Sequence, residues 1–187
     1  MNQFDTEDQY VEYVLQQLNP HFHSRREIEL RHHSGRILRV DAVLWPRDSA
    51  EWRDEKPVFA VEFKLPSKVG GGHDCRWAAQ CVDYAQSYVV GHPDRQLKVF
   101  ACPGFKFWDH LGKANATQWH DGDAIRHLLW QLGVGELVYI PNSINARTGT
   151  RKPHGWELRH SGHHRLWSEW GGVHDNSISL DPKIGSR

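Results

Sequence analysis

Cysteine and methionine are scarce in this chain, and neither sign of charge prevails. Three cysteines (Cys75, Cys81, Cys102) among 187 residues, none in C-x-x-C spacing, argue against a disulfide framework. They read as reduced thiols, mostly buried. The histidines do not combine with them at zinc-finger spacings, so structural zinc is not expected either. No apolar run is long enough to span a bilayer. The opening residues Met1-Asn2-Gln3-Phe4-Asp5 lack the basic-then-apolar pattern of a signal peptide, and the expected location is the cytoplasm. Lys and Arg total 23 and Asp and Glu total 23, a balance that excludes a uniformly basic binder of nucleic acid.

What is present is an ordinary globular composition, 39% hydrophobic and 25% charged, at a length that suits one domain. Charge is unevenly placed within it. From Pro141 to Arg187 there are seven Lys or Arg against four Asp or Glu, with five His, so a local basic face is compatible with a neutral total. We expect a single domain over 1–187, with a core at about 5–141 and a basic, aromatic C-terminal extension at about 142–187.

Apolar spacing predicts a helix over Thr6–Leu18, capped by Asp5 or Thr6 and ended by Asn19-Pro20. Two strands follow, Arg26–His33 and Arg36–Trp45, joined as a hairpin at Ser34-Gly35. A third strand is read at Pro57–Leu65, then a Gly70-Gly71-Gly72 loop and a helix from about His73 to Val89. Leu97–Cys102 reads as a buried strand, Asp123–Leu132 as a helix and Glu136–Ile140 as a strand. Trp156–His160 and His164–Trp170 are placed in a second hairpin. This order predicts an α/β fold, a central mixed β-sheet flanked by helices, with the C-terminal part as an elaboration.

The chemistry-bearing residues are polar side chains where apolar ones belong. In Val58-Phe59-Ala60-Val61-Glu62-Phe63-Lys64-Leu65, alternation sets Glu62 and Lys64 on one face and Val61, Phe63 and Leu65 on the other. An acid and a base in so apolar a run are costly without a partner or a task. Val40-Asp41-Ala42-Val43-Leu44 repeats the anomaly with a lone carboxylate. Should the two strands pair, Asp41 lies beside Glu62, and two adjacent carboxylates repel unless a positive group joins them. A hard divalent cation such as Mg²⁺ meets that need.

The arrangement of Asp41, 20 intervening residues and then Glu62-Phe63-Lys64 resembles the PD-(D/E)XK nuclease superfamily, over roughly Glu7 to Cys102. Val40 stands where that pattern has proline. The resemblance implies a restriction-endonuclease-like core of α-β-β-β-α-β order and a phosphodiester hydrolase using Mg²⁺, with Mn²⁺ as a substitute. It implies that Asp41, Glu62 and the backbone carbonyl of Phe63 ligate the metal, which polarises the scissile phosphate and activates water. Lys64 then positions that water or neutralises developing charge. The family often carries a glutamate on the first helix; Glu7, on the same face as Tyr10, Val11, Val14 and Leu18, is the candidate for a second metal or its waters. Gln80 and Tyr84 match the family's glutamine and following aromatic on the second helix, Gln80 orienting the substrate or a metal-bound water and Tyr84 contacting substrate.

The reading is therefore a Mg²⁺-dependent nuclease acting on DNA in repair, recombination, restriction or mobile-element biology. Two alternatives stay open: an RNA-directed nuclease, and a non-catalytic binding module on the same fold. Substrate contacts are expected from Arg151, Lys152, Arg159, His160 and Arg165. Trp156, Trp167 and Trp170 are candidates for stacking on unpaired bases. Expected partners are nucleic acid, DNA before RNA, and no membrane, with room for a homodimer.

Overall fold

The computed structural model describes residues 4–50, 52, 57–69, 74–91, 97–105, 118–144, 151–152, 154–160 and 164–174. Helix α1, Glu7–Leu18, starts at a capping box: the Thr6 side chain accepts the N–H of Gln9, and the Gln9 side chain accepts that of Thr6. Tyr10, Val11, Val14, Leu15 and Leu18 bury one stripe of it. The chain then forms an antiparallel hairpin of β1, Phe22–His32, and β2, Ile37–Pro46. Its turn uses Gly35 at φ 88°, a left-handed conformation that disfavours a side chain. Strand β3, Phe59–Phe63, is antiparallel to β2 and wholly buried.

A 3₁₀ turn at Pro66–Lys68 leads towards α2, Asp74–Ala85. Beyond α2 the predicted helix does not continue to Val89. Ser87–Val89 is instead strand β4, which pairs antiparallel with β1. Strand β5, Lys98–Cys102, runs parallel to β3, and β6, Val134–Ile140, runs parallel to β5, with α3, Gln118–Gln131, between them in sequence. Two short strands, β7 (Ser143–Ile144) and β8 (Arg151–Lys152), pair only with each other. Strands β9, Gly155–His160, β10, His164–Ser168, and β11, Gly172–Val173, complete the described chain.

The expected fold class is corrected here. Nine strands form one sheet in the order β11-β10-β9-β6-β5-β3-β2-β1-β4, curled into a half-barrel, and the described residues contribute three α-helices. A small central sheet flanked by helices does not describe this arrangement. The reason lies in the C-terminal segment, read as an elaboration. Strand β9 pairs with β6 from Glu136↔Arg159 to Ile140↔Gly155, so β9, β10 and β11 extend the same sheet. Alternation in β9 supplies Trp156 and Leu158, and a β-bulge after Arg165 lets β10 supply both Leu166 and Trp167, to a core shared with α1, Phe22, Phe59, Val61, Phe63 and Phe100. On the opposite face a second core joins Val40, Val43, Ala60, Val99 and Ala101 to Trp77, Ala78, Cys81, Tyr84 and Ala85 of α2.

Candidate active site

Strand β3 divides its side chains as alternation requires. Val61, Phe63 and Leu65 enter the core with α1, leaving Glu62 on the face covered by α2. Asp41 lies one step beyond the last paired residues, Ala42 and Val61, which brings it level with Glu62. Here the β1–β2 ladder skips a pair: Arg26↔Ala42 and Ile28↔Val40 are partners, and Glu27 between them adopts φ 56°. Such a backbone conformation is costly for a residue with a side chain.

The carboxylate of Asp41 accepts the N–H of Phe63 at 2.8 Å, which locks it to the strand bearing Glu62. Glu62 is 2% exposed. Its Oε1 receives the Lys64 ammonium at 3.1 Å, while Oε2 is buried without a donor, and the Glu62 and Asp41 carboxyls lie close enough to share a proton. The same ammonium donates to the backbone carbonyl of Phe63 at 2.9 Å and lies 3.8 Å from the carboxylate of Glu7. Glu7, in the first turn of α1, also accepts the N–H of Leu65 at 3.2 Å. Five predicted residues, Glu7, Asp41, Glu62, Phe63 and Lys64, therefore converge.

Electrostatics at this point follow from burial and like charge. Burial, with Asp41 alongside, pushes the Glu62 carboxyl up to about 8. Burial also raises that of Asp41, against the opposing pull of the Phe63 N–H and Lys64. Burial alone lowers the Lys64 ammonium, but the carboxylates of Glu62 and Glu7 outweigh it and raise its pKa. A cluster of this kind holds one proton or one further cation more readily than bulk solvent does.

Do the residues present fit a divalent metal? Among the described residues no group of three His, Cys, Asp or Glu side chains forms a ready ligand set. The donors on hand are two carboxylates and a main-chain carbonyl, the hard oxygen set that suits Mg²⁺ retaining waters. Two of these, Glu62 and the Phe63 carbonyl, already bind one cation, the Lys64 ammonium, and the Glu62 and Asp41 carboxyls, close enough to share a proton, have capacity for another. The chemistry fits.

Other predicted residues are placed differently. Gln80 donates to the Tyr84 hydroxyl at 2.7 Å, and that hydroxyl donates to the Arg39 carbonyl at 2.9 Å. Tyr84 is thus buried and pins α2 to β2 close to the acid pair, with its hydroxyl committed to protein partners. Arg151 and Lys152 have their backbone in β8, and His160 has its backbone in β9; their side chains lie outside the described residues, as do Gly70-Gly71-Gly72. Trp156 and Trp167 are core residues, 2% and 5% exposed, so they are not stacking platforms. Arg159 and Arg165 both bind Glu157, Arg159 through Nε to Oε2 and Arg165 through Nε to Oε1 at 3.3 Å.

Two buried acids escaped the sequence reading. Glu157 is one; Glu136 is the other, taking Arg126 Nε at 2.8 Å and the N–H of Phe105 at 2.8 Å. The signal that singles out Glu62 is present for both, since each interrupts an apolar strand: Val134-Gly135-Glu136-Leu137-Val138 and Trp156-Glu157-Leu158. No family model matches the chain, and no curated protein or solved structure matches it.

Proposed function

We propose that this chain is a divalent-metal-dependent nuclease that hydrolyses phosphodiester bonds of nucleic acid, with DNA the favoured substrate. One observation carries the reading. A buried carboxyl, Glu62, is close enough to a second one, Asp41, to share a proton with it, keeps one oxygen without a donor, and shares a bound ammonium with the neighbouring carbonyl. Without a metal the close pair of carboxyls holds a proton between them, and a divalent cation replaces that proton with a charge both carboxylates can share. In this reading Asp41, Glu62 and the Phe63 carbonyl hold the metal. When bound, Mg²⁺ supplies Lewis-acid polarisation of the phosphate and a more acidic water.

The chain's own groups do the rest. Phe63 N–H fixes the orientation of Asp41, and Glu7 binds the end of β3 through Leu65 N–H. Lys64 carries a positive charge to where phosphate charge develops, an interaction that lowers the barrier only if stronger in the transition state. The test is cleavage of a panel of single-stranded, duplex, flapped and branched DNA and RNA with Mg²⁺, Mn²⁺ or EDTA. Metal-dependent cleavage that Asp41→Ala and Glu62→Ala each abolish, with folding retained, is the expected result. Full activity in either variant, or no cleavage of any substrate, overturns the reading.

A further inference from the structure

Register carries the acid pair into contact with the rest of the sheet. Glu62 is the partner of Ala101, Ala101 of Glu136, Glu136 of Arg159, and Arg159 of Arg165. A single cross-strand row therefore runs from β3 through β5, β6 and β9 to β10. Ala101 belongs to the core on the α2 face; Arg159 alternates with Leu158, which enters the opposite core, and Arg165, paired with Arg159 just ahead of a β-bulge, meets the same Glu157. The two arginines consequently share the face of Glu62. Three strand spacings separate Glu62 from Arg159, about 14 Å measured along the sheet.

Two guanidiniums on directly paired residues of adjacent strands repel, and like charges so placed are destabilising. This pair is held by Glu157, which is 1% exposed and uses one oxygen for each arginine. Both arginines engage it through Nε, so their terminal NH₂ groups have no ion pair or hydrogen bond within the described residues. Arg165 also lies over the Trp170 ring, 5.8 Å from its centroid. The side chains are 25% and 45% exposed, so the forks reach solvent while their stems are fixed. Two oriented forks, whose terminal donors have no partner among the described residues, match the oxygens of a phosphodiester, which arginine binds in a bidentate manner.

We propose that Arg159 and Arg165, positioned by the buried Glu157, form a backbone-phosphate clamp for the nucleic-acid strand that runs from the acid pair. The proposal rests on the nuclease reading for the identity of the strand and adds where that strand is held. Ala101 and Glu136, between Glu62 and the clamp, are buried with Phe105 and Arg126 against them, so a strand reaching both passes over that cover. The clamp therefore takes a phosphate at least about four nucleotides from the scissile one, at about 3.4 Å per nucleotide along a duplex axis. It reads no base, so DNA and RNA backbones of suitable geometry both fit it.

The experiment measures binding of fluorescein-labelled 20-mer DNA and RNA duplexes by anisotropy, in EDTA, from 50 to 300 mM NaCl, with the full chain. Replacing both arginines (Arg159→Gln with Arg165→Gln) should flatten the log–log salt slope by about two units for at least one duplex. Glu157→Gln gives the sharper sign. It raises net charge by one, so a diffuse electrostatic effect tightens binding, whereas loss of a positioned pair weakens it; we expect weakening of about tenfold. Should that variant fold poorly, Arg159→Lys with Arg165→Lys keeps both charges and the salt slope but loses the forks, and should weaken binding severalfold. An unchanged slope in the glutamine double variant, or equal affinity in the lysine one, overturns the clamp even if the wild type cleaves DNA. Arginine-dependent binding without any cleavage supports the clamp and overturns the nuclease reading alone.

Discussion

Glu62 is the residue whose environment is most at odds with its charge, and its behaviour can be read without substrate. A carboxyl held near 8 in the folded chain, against an ordinary 4.5, binds a proton that the unfolded chain has released. Between those two pH values the folded state carries more protons at Glu62, so this group's contribution to stability is full below about 4.5 and declines as pH rises towards 8. The decline should be on the order of a few kcal/mol, because each tenfold difference in proton affinity between the two states is worth about 1.4 kcal/mol. Glu62→Gln keeps the shape without the charge and should lack this component. Urea denaturation in EDTA at pH 5 and pH 8.5 measures it: the wild type should lose stability relative to Glu62→Gln at the higher pH, and parallel losses would show that Glu62 is not strained. Metal affinity should move the other way and rise with pH, since the metal displaces that proton. Lys64→Met, which removes the ammonium now seated on Glu62 and Phe63, should leave Mn²⁺ binding by calorimetry intact or tighter while turnover falls at least a hundredfold, an expectation from charge stabilisation of this type.

Among the elements, α1 has a part beyond packing. Its capping box at Thr6 and Gln9 secures the first turn, where Glu7 reaches across to the N–H of Leu65. Thr6→Ala should therefore cost about 1 kcal/mol, the usual loss for an N-cap oxygen. Fraying of that turn should also release Glu7, so hydrogen exchange at the Leu65 amide should accelerate along with the lost stability. If stability falls and Leu65 exchange is unchanged, Glu7 is not held by the cap. Helix α2 works in a comparable manner through Tyr84, whose hydroxyl joins Gln80 to the Arg39 carbonyl on β2 and keeps the helix seated over Asp41 and Glu62.

For the molecule as a whole, the junction of β5, β6 and β9 decides whether the sheet is one body. Gly135 sits there, and a Cβ on it would lie 2.5 Å from the Arg159 carbonyl oxygen and 2.8 Å from the Phe100 ring. Main chain on one side and a buried ring on the other leave little room for adjustment. Gly135→Ala should cost about 1–3 kcal/mol through overpacking. It should also weaken duplex binding, because it displaces Arg159 against the row that contains Glu62. A thermal melt and the same anisotropy titration check both; wild-type stability and affinity together would mean that β6 and β9 yield more easily than their spacing indicates.

Much of the local structure is legible from periodicity. The stripe Tyr10, Val11, Val14, Leu15, Leu18 marks α1, and the alternation around Glu62 assigns it the face opposite Val61, Phe63 and Leu65. Asp41, Glu62 and Lys64 stand out because charge in an apolar strand is visible in a line of letters. The sequence by itself also narrowed the helix cap to Asp5 or Thr6, of which the structure uses Thr6, and placed the turn at Ser34-Gly35, since both depend on residues within four positions of each other. Ser87–Val89 reads as helix because Tyr88 and Val89 prolong a helical apolar pattern, while the edge of β1 offers their backbone a ladder that no local pattern announces. Only the tertiary structure decided the width of the sheet and the row that aligns Glu62, Glu136, Arg159 and Arg165. Strands β3, β5 and β6 are parallel and joined by long connections, so no turn sets their register; it is set by which side chains fill the two cores on either side of the sheet.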